Sequence, residues 1–218
     1  MNKDISNKQI QTVIDHGDQA AGIDQVFQVN ANCRLIYCFA WSGASAARRL
    51  TVELSDDSEV SIIGYFLGTK QDEFDIDLRV KHIGRRSKST TNIHGALFDL
   101  ARADFKGLIA IPPTGQGSNA WLEERVLVLS SKAKSESLPS LEIEANDVKA
   151  GHAATTGDLS PDQVFYLMAR GLPKPEAASI LVEGHLVTSI RALPDSEGQA
   201  VLSTLHKAIQ DIPLSTFN

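Results

Sequence analysis

Apolar and polar residues alternate along much of the first two-thirds of the chain. In the clearest example, residues 74–82, Phe74, Ile76, Leu78 and Val80 alternate with Asp75, Asp77, Arg79 and Lys81. A period of two is typical of a β-strand with one face against a core and the other in water. Shorter runs of the same kind follow one another between about residues 9 and 148: 50–54, 60–63, 108–111 and 126–129. The pattern predicts many short strands.

Turn-forming residues separate these runs. They occur at 55–58, at 84–88, around Asp104 and Lys106-Gly107, and at 112–119. No amphipathic pattern of helical length lies between them, which argues against alternating β and α units. A sandwich, a barrel and a β-solenoid all fit this spacing, and the sequence shows no strict internal repeat that would choose among them.

The last third of the chain has helical patterns instead. Ser160-Pro161-Asp162-Gln163 has the form of a capping box with proline at the first helical position. A second helix is expected to open at Pro175 and to end at Pro194, and Asp195 is expected to cap a third. We therefore predict a β domain over residues 1–159 and a helical region over 160–218. The apolar stripes of the helices are expected to cap the end of the β domain, or to expose a groove for a partner.

The composition excludes several classes of function but does not identify one. The 218 residues carry a net charge of −6, with 42% hydrophobic and 22% charged residues. These values fit an ordinary globular protein and give no general attraction for nucleic acid or for an anionic membrane. The N-terminus has no apolar segment of the secretory type, and there are only two cysteines. A cytoplasmic protein without membrane or nucleic-acid partners is the expectation.

Few residues suggest chemistry. His152 lies at the predicted junction between the last strand and the first helix, where it either ligates a metal or hydrogen-bonds the turn. Cys33 and Cys38 are five residues apart, so in a strand their side chains lie on opposite faces, and buried packing is the better interpretation. His82 and His94 are interpreted as structural, because no ordered catalytic grouping follows from their spacing.

Three motifs between residues 80 and 186 resemble one known family. They read G-A-L-F-D-L-A-R-A-D-F-K-G-L-I at 95–109, D-V-K-A-G-H-A-A-T-T-G at 147–157 and D-Q-V-F-Y-L-M-A-R-G at 162–171. Further matching positions are His82, Ser89, 124–130, Pro139 and 141–143. In order and spacing these elements resemble the SufB/SufD family, the scaffold proteins of the Suf system for iron–sulfur cluster assembly. The chain is identified as a short SufD-like member that is expected to lack the family's N-terminal helical domain.

The resemblance implies a fold, partners and a site. The fold would be mainly β, a right-handed parallel β-helix with a small C-terminal helical subdomain. The partners would be a SufC-type ABC ATPase and a SufB-like or identical chain. The ATPase would dock on Phe165, Leu167, Met168 and Leu181. Iron or an iron–sulfur cluster, shared at a subunit interface, would be held by His152 and by the aligned Glu124.

The sequence departs from the family pattern at the residues around this histidine. Ala150 replaces the cysteine of SufD-type members, and Gly151 and Ala153 replace the flanking glutamates of SufB-type members. A thiolate would therefore come from a partner chain, or the chain would bind no cluster and only stabilise its partner. A scaffold without enzymatic activity is the main expectation. The alternative is a β-helix hydrolase or lyase acting on a polysaccharide through Glu142, Glu144 or Asp147.

Overall fold

A computed structural model describes residues 2–6, 10–15 and 23–212 of the chain. The described part contains twelve β-strands followed by three α-helices and one short 3₁₀ helix. The strands are β1 Asn2–Ile5, β2 Ile10–Asp15, β3 Ile23–Val29, β4 Arg34–Ser42, β5 Ala46–Leu54, β6 Glu59–Gly68, β7 Glu73–His82, β8 Lys88–Leu97, β9 Arg102–Ile111, β10 Asn119–Val128, β11 Lys134–Ile143 and β12 Lys149–Gly157. The helices are α1 Pro161–Ala169, α2 Lys174–Leu186, the 3₁₀ helix Ile190–Ala192 and α3 Asp195–Gln210.

The strands form a parallel β-helix. Each strand pairs in parallel with the strand two further along the chain. One sheet therefore contains β1, β3, β5, β7, β9 and β11, and the other contains β2, β4, β6, β8, β10 and β12. We call these the odd sheet and the even sheet. Successive turns stack in register: Glu59 pairs with Lys88, Lys88 with Asn119, and Asn119 with Lys149. The predicted mainly-β architecture with a parallel β-helix and C-terminal helices is confirmed.

The two faces of each sheet have different surroundings. The inner faces meet in one core that includes Phe27, Tyr37, Trp41 and Phe66. The outer face of the odd sheet is largely polar and charged, whereas the outer face of the even sheet carries a second apolar cluster beneath α2 and α3. Cys33 lies in the inner core and Cys38 in this outer cluster, which confirms that the two thiols are on opposite faces.

The helices cover the flank of the solenoid instead of capping its end. Helix α2 contacts β8 and α3 contacts β4. Their buried residues are Ala177, Ala178, Val182, Leu186, Val201, Leu205 and Ile209. The capping prediction was wrong because the outer face of the even sheet, with Ile36, Ile63, Tyr65 and Phe98, is itself apolar and is covered here.

Two local predictions about the helices also need correction. Helix α1 begins at Pro161 as expected, but the Ser160 side chain makes no capping hydrogen bond. Helix α2 ends at Leu186 instead of running to Pro194, and the 3₁₀ helix fills the interval. Pro194 is the residue before α3, so it opens the next helix. No helix within residues 2–6, 10–15 and 23–212 is long and apolar enough to cross a bilayer.

The predicted turn around Asp104 and Lys106-Gly107 lies inside strand β9. Gly107 belongs to the inner face, where an added Cβ would lie 2.6 Å from a methyl carbon of Leu122 and 2.8 Å from the ring of Phe105. The glycine therefore provides space for neighbouring side chains in the core. Because glycine usually indicates a turn in an isolated sequence, this packing role could not be read from the pattern.

Residues in the left-handed conformation stack at one corner of the solenoid. Asn32, Asp57, Arg86 and Gly117 have φ values of 60°, 54°, 53° and 78°. The backbone N–H of each donates to a carbonyl of the following turn, with N···O distances from 2.6 to 3.1 Å. The corner thus continues the hydrogen bonding of the sheets between turns.

Glycine at position 95 is required by the ring one turn below. Phe66 pairs with Gly95 in the even sheet, and a Cβ added to Gly95 would fall inside the Phe66 ring. We expect Gly95→Ala to displace this ring and to lower the free energy of unfolding by about 1–3 kcal/mol, measured by urea denaturation. The control is Gly184→Ala, where nothing lies within 4 Å of the new methyl group. Equal stability of the two variants would contradict the packing role.

Candidate functional site

The last turn of the solenoid leaves both sheets with an open edge. Strand β11 is the final strand of the odd sheet and β12 the final strand of the even sheet. At this end the core is only partly covered, since Leu141, Val148 and Ala150 pack against it but stay half-buried. The end therefore combines unpaired strand edges with accessible apolar side chains, which are typical of a surface that binds another protein chain.

His152 lies on the inner side of this open turn. In the even sheet His152 pairs with Leu122, which pairs in turn with Thr91. Paired residues of parallel strands direct their side chains to the same face, and Leu122 belongs to the inner core. His152 is nevertheless exposed, because no further strand of the described chain covers it. The site is thus accessible from the end of the solenoid and not from its flank.

Glu124 lies on the same inner face, one strand below. It pairs with Ala154 and Ile93, and the residue is only 1% exposed. Neither of its carboxylate oxygens has a hydrogen-bond partner, and the buried hydroxyls of Ser135 and Ser137 on β11 are unpaired too. Burial raises the pKa of Glu124 to about 7, an effect that the nearby Ser137 hydroxyl partly offsets. A buried carboxyl without a hydrogen bond of good geometry is a candidate functional group, since an apolar side chain would pack at this position at lower cost.

The register brings His152 and Glu124 to adjacent strands. Because Glu124 is two positions beyond Leu122, the partner of His152, the two Cβ atoms are diagonal neighbours about 8 Å apart. Both side chains are long enough to reach a common ion from there. The described residues contain no group of three or more histidine, cysteine or acidic side chains that could hold a metal. His152 and Glu124 are thus the two candidate ligands at this end of the described chain, fewer than a metal site requires.

The thiols do not contribute to this site. Cys38 lies on the outer face beneath the helices, where burial raises its pKa to about 12. Cys33 is buried at a corner and contacts the carbonyl of Ala31. A thiolate is the usual ligand of an iron–sulfur cluster. Any thiolate at the open end must therefore come from another molecule.

The remaining candidate residues lie elsewhere. Glu142, Glu144 and Asp147 are all exposed, and Asp147 makes its contacts with Gln116 and Gly117 through its backbone. His82 is fully buried and hydrogen-bonds Ser87 and Ser89, both at 2.8 Å. Burial lowers the pKa of His82 to about 4, so it is neutral at neutral pH.

The predicted docking residues have different exposures. Phe165 is 70% exposed and Met168 43% exposed, whereas Leu167 and Leu181 are half-buried. Tyr166, which the sequence did not single out, is also exposed. Beside Phe165 a cavity of about 420 Å³ opens between α1, α2 and the solenoid. The serines of β11 were missed as well, although their period-two spacing before Pro139 places them on one face.

Within residues 2–6, 10–15 and 23–212, the fold and the terminal turn define a β-solenoid with an open edge at β11 and β12 and a helical layer on one flank. A family model described as the SUF system FeS cluster assembly SufBD core domain matches residues 9–185. The chain therefore belongs to the SufBD core domain family, whose members take part in iron–sulfur cluster assembly.

Individual relatives agree with this assignment. Iron-sulfur cluster assembly protein SufD of Bacillus subtilis is 40% identical over 116 residues, which is 53% of this chain and 26% of that protein. A SufBD family protein of Synechocystis sp. is 41% identical over 96 residues, 44% of this chain and 21% of that protein. Another from the same organism is 24% identical over 143 residues, 66% and 30% of the two chains. The match thus covers less than a third of each of these relatives.

The raised pKa of Glu124 predicts a specific dependence of stability on pH. Because this pKa lies above the ordinary value of 4.5, the ionised carboxylate destabilises the fold above about pH 7, and the penalty disappears as the pH falls towards 4.5. We expect Glu124→Gln to raise the free energy of unfolding by about 3 kcal/mol at alkaline pH. The gain should shrink towards zero in urea denaturation at about pH 4.5.

The exposed Glu142 on the adjacent strand β11 provides the matched control. Glu142→Gln should change the stability by less than about 0.5 kcal/mol at either pH, as expected for a surface substitution. If Glu124→Gln is no more stable than the wild type at alkaline pH, the buried carboxyl is not held in an unfavourable ionised state.

Proposed function

We propose that this chain is a non-enzymatic scaffold or accessory subunit in iron–sulfur cluster assembly. One observation supports the proposal: His152 and Glu124 are diagonal neighbours on adjacent strands, on the inner face at the open end of the described solenoid. Iron or the cluster is the cargo of this site and not a resident cofactor. Because one chain offers a single imidazole and a single carboxylate, the site is completed by a second subunit.

The partner at this end is a like chain, which pairs edge to edge. Strand β12 contains no proline, so every backbone N–H on its open edge is available to a new strand, whereas Pro139 lacks a donor in β11. Pairing would also cover Leu141, Val148 and Ala150. With two identical chains, two imidazoles and two carboxylates would meet, a ligand set that suits ferrous iron. A partner chain with a cysteine would add the thiolate that a cluster requires.

The second partner is a SufC-type ABC ATPase, which docks on helices α1 and α2. The exposed side chains of Phe165, Tyr166 and Met168 are grouped on α1, next to the cavity that Phe165 and Met168 line. A concentration of exposed aromatic and thioether groups on a short helix is typical of a protein-binding surface. The half-buried Leu167 and Leu181 would contribute mainly by holding these helices in place.

The iron site is tested by anaerobic reconstitution with ferrous iron and sulfide, followed by desalting, iron analysis and absorption spectra. We expect the His152→Ala variant to retain less iron than the wild type. Removing a residue that only supports a metal ligand lowers metal affinity roughly 10–100-fold, and removing the ligand itself should lower it at least as much. His206→Gln, at the contact between α2 and α3, is the control and should retain iron like the wild type. Equal iron content and spectra for His152→Ala and the wild type would exclude His152 as a ligand.

The docking surface is tested by co-purification with the ATPase. We expect Phe165→Asp to abolish retention of the ATPase because it places a charge in the centre of the apolar surface, while its exposure leaves the fold intact. Leu138→Asp is the matched control, since Leu138 is 64% exposed on the outer face of the odd sheet. Undiminished binding by a folded Phe165→Asp variant would reject this docking surface.

A further inference from the structure

Helix α2 is joined to the even sheet through two histidines. His94, on the outer face of β8, is 2% exposed and hydrogen-bonds the hydroxyl of Ser189 at 3.0 Å. His185, in the last turn of α2, donates from Nε2 to the carbonyl oxygen of Arg125 at 3.1 Å. The two rings meet edge to face, with centroids 5.3 Å apart. These contacts tie the end of α2 to β8 and β10.

Burial makes neutral imidazoles the favoured state of both rings, although His185 has backbone carbonyl acceptors on Arg125 and on Gly95. The Nδ1 atom of His94 is buried without a partner, and no carboxylate hydrogen-bonds either ring among the described residues. The guanidinium of Arg125 is the nearest cation, and the carboxylate of Glu123, the one acid that acts on His94, is already bound by Arg125 at 2.6 Å. A proton added to either ring would therefore lack a counter-charge.

The other groups that face the pair do not compensate. Tyr65, on β6, stacks on His94 with a centroid distance of 6.4 Å, and its buried hydroxyl has no partner. Burial raises the pKa of both Tyr65 and Cys38, so each remains uncharged at neutral and acid pH. Ser189 offers only a hydroxyl. None of these three groups carries a negative charge that could stabilise a protonated imidazole.

We propose that His94, His185 and Ser189 form a proton-sensitive latch between α2 and the solenoid. With both imidazoles neutral, the latch holds the helical layer against the outer face of the even sheet. Protonation of either ring releases the end of α2 and exposes the apolar cluster around Cys38 and Tyr65. His206 in α3 also contacts the carboxylate of Glu183 in α2, a contact between the two helices that does not involve the solenoid.

The direction and the size of the effect follow from the two states. Burial lowers the pKa of His94 to about 4 in the docked state, while the released imidazole returns to its ordinary value of 6.5. Burial lowers the pKa of His185 as well. The docked state is therefore fully stable above about pH 6.5 and loses stability as the pH falls towards 4. For His94 alone, linkage shifts the ratio of released to docked molecules about 30-fold between about pH 7.5 and pH 5.

Cysteine labelling measures this release at one defined position. Cys38 lies under the helices and Cys33 in the solenoid core, and Arg34 allows trypsin to separate them for mass spectrometry. The full chain is treated with 4,4′-dithiodipyridine, which reacts with thiols in acid, and each rate is divided by that of free glutathione. We expect Cys38 labelling to accelerate about 30-fold or more between about pH 7.5 and pH 5. Cys33 should remain protected at both pH values.

Glutamine variants separate the latch from other acid effects. The double substitution His94→Gln with His185→Gln keeps a polar atom near Ser189 and near the Arg125 carbonyl but cannot be protonated. It should lose the acid response, so that its normalised Cys38 rate is the same at about pH 7.5 and at about pH 5. His206→Gln is the control and should keep that response. An equal acid response in the double variant and the wild type would overturn the latch.

Two results on the wild-type protein alone would also overturn it, so the test does not depend on the variants folding. The first is a normalised Cys38 rate that is the same at both pH values. The second is an equal acceleration of Cys33, which would mean that the solenoid itself unfolds. Hydrogen exchange at the same two pH values should show loss of protection in α2, while β7 and β9 keep theirs.

Discussion

Parallel pairing between each strand and the strand two further along is the constraint on which this structure depends. Because the turns stack without a register shift, each side chain lies directly above one from the previous turn. The size of a side chain is therefore limited by the residue that pairs with it in the neighbouring turn. Gly95 is small because Phe66 lies below it. Gly107 is small for a different reason: Leu122 from the opposite sheet and Phe105 from its own strand occupy the space that its side chain would fill. The alternation of faces follows from the pleat, and the choice of residue at each inner position follows from the stack.

The same register creates the candidate site where the stack ends. In earlier turns the inner positions are covered by the next strand, and they are filled by apolar side chains or by polar ones that hydrogen-bond one another, such as His82 and Ser89. At β12 no described strand follows, so His152 on the inner face is accessible, while Glu124 one strand below is still buried. A buried carboxyl beside an open edge costs stability in the isolated chain. Completion by a second subunit would remove that cost, which is why we connect the site with pairing of two chains.

The helices lie on the flank of the solenoid, whereas the candidate site lies at its end. They pack on the outer face of the even sheet, which explains why β4 and β6 are buried on both sides. The apolar contact supplies the binding energy of this layer, and the polar contacts of His94 and His185 fix where α2 ends. Strand β10 contributes to both the proposed cargo site and the helical layer, because Glu124 faces inward and the Arg125 carbonyl accepts a hydrogen bond from α2.

The sequence by itself determined the strand alternation, the onset of the first helix at Pro161, the opposite faces of the two cysteines and the family. These are local or motif properties, and a period of two or a helix-start signal needs no distant contact. Only the tertiary structure decided that strands pair two apart, that Gly107 lies inside a strand, that the helices cover a flank, and that Glu124 is buried beside His152. Each of these depends on which residues of other turns occupy the neighbouring space, and that information is absent from any single segment of the chain.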